Sequence, residues 1–156
     1  MSQITLCTVP HSGTTFTQKL FEANDFDVVQ NHCDEWQYVR KALMAPYPLV
    51  TTLRHPFLVE ESWYQRGKEI APMIKAFDLW LEHIYSKDPY ILSVDSPRRQ
   101  EGLEAIAKAF EFPAVTDWKP ERVVAHTFDL TLEDLNPSRE VVELAERMSG
   151  VLGEWY

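Results

Sequence analysis

Nine residues near the start of the chain, "TVPHSGTTF" from Thr8 to Phe16, have the composition of an anion cradle. Gly13 allows a tight turn, the backbone N–H groups of Ser12 to Thr15 can converge, and a helix opening near Thr14 adds its positive pole. The hydroxyls of Thr14 and Thr15 add further donors. The same residues also suit an ordinary strand-to-helix turn capped by Ser12 or Thr14, and this stretch by itself leaves both readings open. ATP chemistry of the P-loop kind needs Lys directly before the Ser or Thr, whereas Gly13 is followed by Thr14 and Lys19 lies more than a helical turn away. A Cys-based phosphatase is excluded too. Cys33 to Arg40 is one residue too long for that loop and contains no Gly to let amides converge.

The elements that must position this loop follow from periodicity. "ITLCT" predicts a strand over Ile4 to Thr8, and Phe16, Leu20 and Phe21 mark a helix over Thr14 to Ala23. "FDVVQ" is a second strand, Glu35 to Met44 a helix, and "PLVTTL" a third strand that stops before Pro56. Helices are predicted over Phe57 to Arg66 and Pro72 to Ser86, the latter with an apolar stripe from Met73 through Phe77, Trp80 and Ile84. "YILSV" is a fourth strand. "DSPRRQEGLEAIAKAF" supplies a cap, a first-turn Pro and an apolar face, an irregular loop follows, and Asn136 with Pro137 caps a last helix reaching Leu152. This βαβα order predicts an α/β fold in three α-β-α layers around a central parallel sheet, whose ligand site lies beyond the carboxyl ends of the strands. The anion loop sits at such an end.

Composition sets the bounds. A chain of 156 residues, 45% apolar, is expected to form one domain over 1–156 and to bury roughly 70% of its unfolded surface. A formal net charge of -9 argues against a nucleic-acid partner, so any basic site must be local. Cys7 and Cys33 are too few for a disulfide framework. No apolar run marks export or a membrane, and the expected location is the cytoplasm.

"PHSGTTF" resembles the 5′-phosphosulfate loop of sulfotransferases that use 3′-phosphoadenosine 5′-phosphosulfate (PAPS), Pro-Lys-Ser-Gly-Thr-Thr-Trp, with His11 and Phe16 as the two departures in kind. That family's second motif is Arg-Asn-Pro at a strand end with Ser eight residues after the Arg, and "RHPFLVEES" carries Arg54 and Ser62 at that spacing. "TDWK" is similar to a late cofactor-loop stretch. The resemblance implies a P-loop-like sulfotransferase fold, in a member shorter than most, that transfers a sulfuryl group from PAPS to a hydroxyl or amine of a small-molecule or carbohydrate acceptor without a metal.

It also implies roles. Ser12, Gly13, Thr14 and Thr15 surround the leaving 5′-phosphate, Phe16 packs on adenine, and Arg54 with Ser62 holds the 3′-phosphate, to which Lys119 or Arg122 adds charge. His11 replaces the family's Lys, and is expected to be protonated when PAPS is bound and to stabilise the leaving group. His32, just past the second strand, is the expected base, with Asp34 and Glu35 as alternatives. His55 takes the family's Asn place and braces the loop. Trp63, Tyr64 and Trp118 are candidates to shape the pocket, and His83 and His126 are read as surface residues. Two other readings remain: a non-catalytic phosphate-binding module that engages a protein partner, and an atypical small nucleotide kinase.

Overall fold

The computed structural model describes residues 2–113 and 131–156. Strands β1 (Ser2–Thr8), β2 (Phe26–His32), β3 (Leu49–Thr52) and β4 (Tyr90–Leu92) form a parallel sheet in the order β2-β1-β3-β4. Around it lie α1 (Thr14–Ala23), α2 (Trp36–Met44), α3 (Pro56–Gln65), α4 (Ala71–Leu79), α5 (Arg99–Ala109), α6 (Arg139–Arg147) and α7 (Ser149–Trp155). The α/β class with a parallel sheet is as expected. β1 is buried on both faces from Ile4 onward, as a central parallel strand must be. Ile4 and Leu6 meet Leu20 and Phe21 of α1 and Leu103 and Ile106 of α5. Cys7 belongs to the other cluster, with Val39 and Ala42 of α2, Trp63 of α3, Phe77 of α4 and Leu144 of α6.

Strand order positions the site. The chain leaves β1 for β2 on one side, then crosses to β3 on the other, so the connections diverge between β1 and β3. In an open parallel sheet such a divergence leaves a crevice beyond the strand ends. Here its walls are the segment after Thr8 and the segment after Thr52, which carry the two motifs. On the far side, register pairs Thr8 with His32.

Several boundaries differ from expectation. β2 runs two residues further, so His32 is its last residue rather than a loop residue. The long fourth helix is α only to Leu79, then makes a π turn over Trp80–Ile84 and a 3-10 turn over Tyr85–Lys87. The stripe is core all the same, and Trp80 is tethered there, its Nε1 donating to Thr51 Oγ1 at 2.7 Å while that hydroxyl donates to the Cys7 carbonyl at 2.6 Å. A local widening of the helix lets Trp80 and Ile84 both face inward. β4 stops at Leu92. α5 begins at Arg99 because Ser96 Oγ accepts from Arg98 N at 2.9 Å, holding "SPR" as a turn. The last helix is capped at Ser138, whose N–H and hydroxyl both donate to the Glu60 carboxylate, and it is interrupted at Met148.

Among the described residues no helix is long and apolar enough to cross a membrane, and no group of His, Cys, Asp and Glu has the spacing of a metal site. Cys7 and Cys33 are free thiols, and burial pushes the Cys33 thiol well up from its ordinary value. A buried, protonated thiol is a poor nucleophile.

Candidate anion-binding site

Between β1 and α1 the backbone takes two left-handed residues, His11 at φ 66° and Gly13 at φ 103°. Gly13 is the N-cap of α1 and offers no side chain to the first turn, where Thr17 N donates to the Gly13 carbonyl at 3.2 Å. The N–H groups of Thr14 and Thr15 therefore have no acceptor within the helix, which is the raw material of an anion site.

The hydroxyls are largely committed elsewhere. Ser12 is fully buried, donates to the Val9 carbonyl and takes a hydrogen bond of 2.6 Å from Thr52 Oγ1. Thr14 shares one of 2.6 Å with Thr8. Ser12 thus fastens the β1 loop to β3 rather than facing a ligand with its side chain, while Thr15 is exposed at the helix start. Phe16 packs against the cluster of Ile4, Leu20 and Phe21. Gly13 answers to a protein neighbour, since a Cβ built there would lie 2.7 Å from Val94 Cγ1. Gly13→Ala is expected to lower stability by about 1–3 kcal/mol, combining left-handed strain with overpacking against Val94. Urea unfolding checks this, and a variant as stable as the parent would refute the contact.

Arg54 follows β3 and is almost completely buried. Its Nε donates to Asp95 Oδ2 at 2.6 Å, with both side chains 1% exposed, and its Nη1 donates to the His11 carbonyl at 3.4 Å. Asp95 Oδ1 accepts from the Tyr156 hydroxyl, which in turn accepts from His55 N at 3.0 Å. Burial first, and the Asp95 charge second, hold the Tyr156 phenol well above its ordinary pKa. Arg54 therefore ties together the ends of β1, β3 and β4. His55 caps α3 as a bracing residue: Nδ1 accepts from Phe57 N at 3.2 Å, and burial lowers its pKa to about 4, keeping that acceptor unprotonated.

His11 differs from the expected cation. Its ring sits edge-on to Trp63 at 5.6 Å, with Arg66 Nη1 2.6 Å from Nδ1 and Lys68 Nζ 2.9 Å from Nε2. Burial, then the charges of Arg66 and Lys68, with His32 and Arg54 adding smaller effects, lower its pKa to about 4. The ring is neutral at pH 7 in the unliganded protein, and the positive charge at this point is carried by Arg66 and Lys68.

Those two residues carried no motif signal. What brings them to His11 is the end of α3: Gly67 at φ 68°, with Gly67 N bonded to the Tyr64 carbonyl at 3.0 Å and Lys68 N to the Trp63 carbonyl at 3.0 Å. That is a Schellman stop, legible in "RGK" only as a helix end. It folds Lys68 back until Nζ lies 5.2 Å from the Trp63 ring centre. Ser62 is buried on α3 one turn before Arg66, so the two share a helix face. Asp95 and Tyr156 were likewise invisible from the sequence.

His32 ends β2 beside Thr8, and its charge reaches His11. Its Nε2 lies 3.4 Å from Gln30 Nε2, while its Nδ1 is buried without a hydrogen-bond partner, as is Asp34 Oδ1. Glu35 is exposed and paired with Lys75 at 3.0 Å. Trp63 is buried, whereas Tyr64 is 76% exposed. His83 lies against Trp36 at 4.6 Å on the surface of α2. Lys119, Arg122, Trp118, His126 and the "TDWK" stretch lie outside the described residues. Comparison of the chain with protein-family models, with curated proteins and with solved structures finds no match.

Proposed function

We propose that this chain is a sulfotransferase that moves a sulfuryl group from PAPS to a hydroxyl or amine acceptor. The observation that carries the reading is the meeting of the two motif loops at the divergence between β1 and β3, where the Arg54 guanidinium reaches the His11 carbonyl. The residues present suit an anionic donor: the N–H groups of Thr14 and Thr15 at an α1 start that no side chain caps, a nearby cluster of cations in a chain of net charge -9, and, among the described residues, buried polar atoms without partners at the end of β2.

In this reading the N–H groups of Thr14 and Thr15 receive the 5′-phosphate, Phe16 borders the adenine, and Ser62 with Arg54 serves the 3′-phosphate end. The acceptor oxygen or nitrogen attacks sulfur in line. A bond to sulfur forms as the bond from sulfur to the 5′-phosphate oxygen breaks, and the electron pair leaves with that oxygen. The acceptor's proton goes to the His32 imidazole. The products are the sulfated acceptor and adenosine 3′,5′-bisphosphate. Placement and charge stabilisation supply most of the acceleration in such a transfer.

One observation favours a second reading, a phosphate-binding module without catalysis: Ser12 and Thr14 use their hydroxyls inside the fold. Calorimetric titration with adenosine 3′,5′-bisphosphate, followed by a transfer assay with labelled PAPS over mixed acceptors, decides between them. Sulfotransferase activity predicts binding that weakens by about tenfold or more when the 3′-phosphate is removed, and label appearing in an acceptor. Binding without transfer selects the module, and no binding refutes both.

A further inference from the structure

Among the described residues neither Arg66 nor Lys68 has a carboxylate within ion-pairing distance, although acidic side chains outnumber basic ones in the chain. Both converge on one imidazole instead. A neutral imidazole has one lone pair and one N–H. Whichever nitrogen holds the proton, one of the two cations faces an N–H rather than an acceptor, and the cations also repel each other. The arrangement is nonetheless held, by the stop at Gly67 on one side and by Trp63 beneath Lys68 on the other. Among the described residues it has no negative partner on its exposed side.

We propose that Arg66 and Lys68 bind the 5′ oxyanion of the donor, with the His11 N–H donating between them, so that these two side chains supply the charge carried by Lys in the family the loop resembles. This rests on the sulfotransferase reading. A tetrahedral phosphate or sulfate offers several oxygens to three donors, replaces the mismatched contact with three matched ones, and screens the two cations from each other. The same site gives binding a pH dependence. The groups that face His11 are Arg66 and Lys68 beyond α3, His32 at the end of β2 and Arg54 after β3, all of them cationic or neutral. An anion among them raises the affinity of the ring for a proton, so binding takes up protons and strengthens as the pH falls below neutrality.

The test is calorimetric titration of the wild-type chain, Arg66→Gln, Lys68→Gln and the double variant with adenosine 3′,5′-bisphosphate, 5′-AMP, 3′-AMP and inorganic sulfate. NMR titration of the His11 ring is run alongside as a readout that does not depend on ligand. Each single variant is expected to weaken the bisphosphate and 5′-AMP by about tenfold to a hundredfold, the worth of one charge-assisted hydrogen bond, while leaving 3′-AMP unchanged. In the free double variant the His11 midpoint should rise from about 4 toward 6.5. A rise that stops short of 6.5 shows a folded site that has lost only its cations, because burial, the largest cause of the lowering, remains. Bisphosphate binding unchanged in the variants, or a loss that follows the 3′-phosphate instead, overturns the proposal. If sulfate binds the wild type and not the double variant while no adenosine nucleotide binds, the oxyanion site stands and the sulfotransferase reading falls.

Discussion

Asp95→Ala is expected to destabilise the protein by about 3–5 kcal/mol, because it leaves the Arg54 guanidinium buried without its counter-charge. Arg54 and Asp95 are each 1% exposed at 2.6 Å, and the Asp95 carboxylate also accepts from Tyr156. Removing it takes an acceptor from two donors, Arg54 Nε and the Tyr156 hydroxyl. With a urea slope near 2 kcal/mol/M, the unfolding midpoint should fall by about 2 M. Arg54→Met combined with Asp95→Leu should recover much of the loss, since a buried ion pair often contributes little net stability over an apolar pair of similar size. Tyr156→Phe, which removes the hydroxyl's hydrogen bonds to Asp95, His55 N and Ser93 but leaves the ion pair intact, should cost about 1–3 kcal/mol. An Asp95→Ala midpoint within experimental error of the parent would mean that this ion pair does not organise the strand ends.

His32→Ala should lower turnover by about 10²- to 10⁴-fold, the span removed with a general base, and leave the affinity for adenosine 3′,5′-bisphosphate nearly unchanged. The structural cost should be small. His32 ends the strand, its Nε2 lies 3.4 Å from Gln30 Nε2, and among the described residues its Nδ1 has no hydrogen-bond partner. Single-turnover transfer from labelled PAPS separates the chemical step from binding. Asp34→Asn is the comparison variant, because Asp34 also has a buried carboxylate oxygen without a partner. Full turnover in His32→Ala with loss in Asp34→Asn would move the proton to the carboxylate. Glu35 is the weakest of the three candidates, being exposed and neutralised by Lys75.

The resemblance and the geometry divide the loop differently. By resemblance, Ser12 and Thr14 are donors to a phosphate, yet their side chains hold β1 to β3 and to the first turn of α1. In the proposed reading this leaves the backbone of Thr14 and Thr15 to receive the phosphate, and it makes the cations beyond α3 more consequential. His11 becomes a hydrogen-bonding hub whose charge is controlled by its neighbours. In the bound state the expectation of a protonated ring requires Arg66 and Lys68 to turn from its two nitrogens toward the anion, whose charge would reverse the field that now lowers its pKa.

Local sequence was sufficient for the elements. Alternation along "ITLCT", the glycine turn at Gly13 and the 3.6-residue stripes specify strand, turn and helix through short-range sterics and through which face must be buried, and βαβα order with parallel strands follows from their succession. It was enough, too, to place "PHSGTTF" and "RHP" at the carboxyl ends of strands. Tertiary structure alone decided who faces whom. The order β2-β1-β3-β4 brings residues 43 positions apart together at Arg54 and His11, the stop at Gly67 swings Lys68 onto His11, and Asp95 with Tyr156 closes on Arg54. None of these contacts has a sequence period. Charge acts through space and depends on burial, so whether Arg54 is a ligand or a brace, and whether His11 is charged or neutral, is set by neighbours that the order of residues does not reveal.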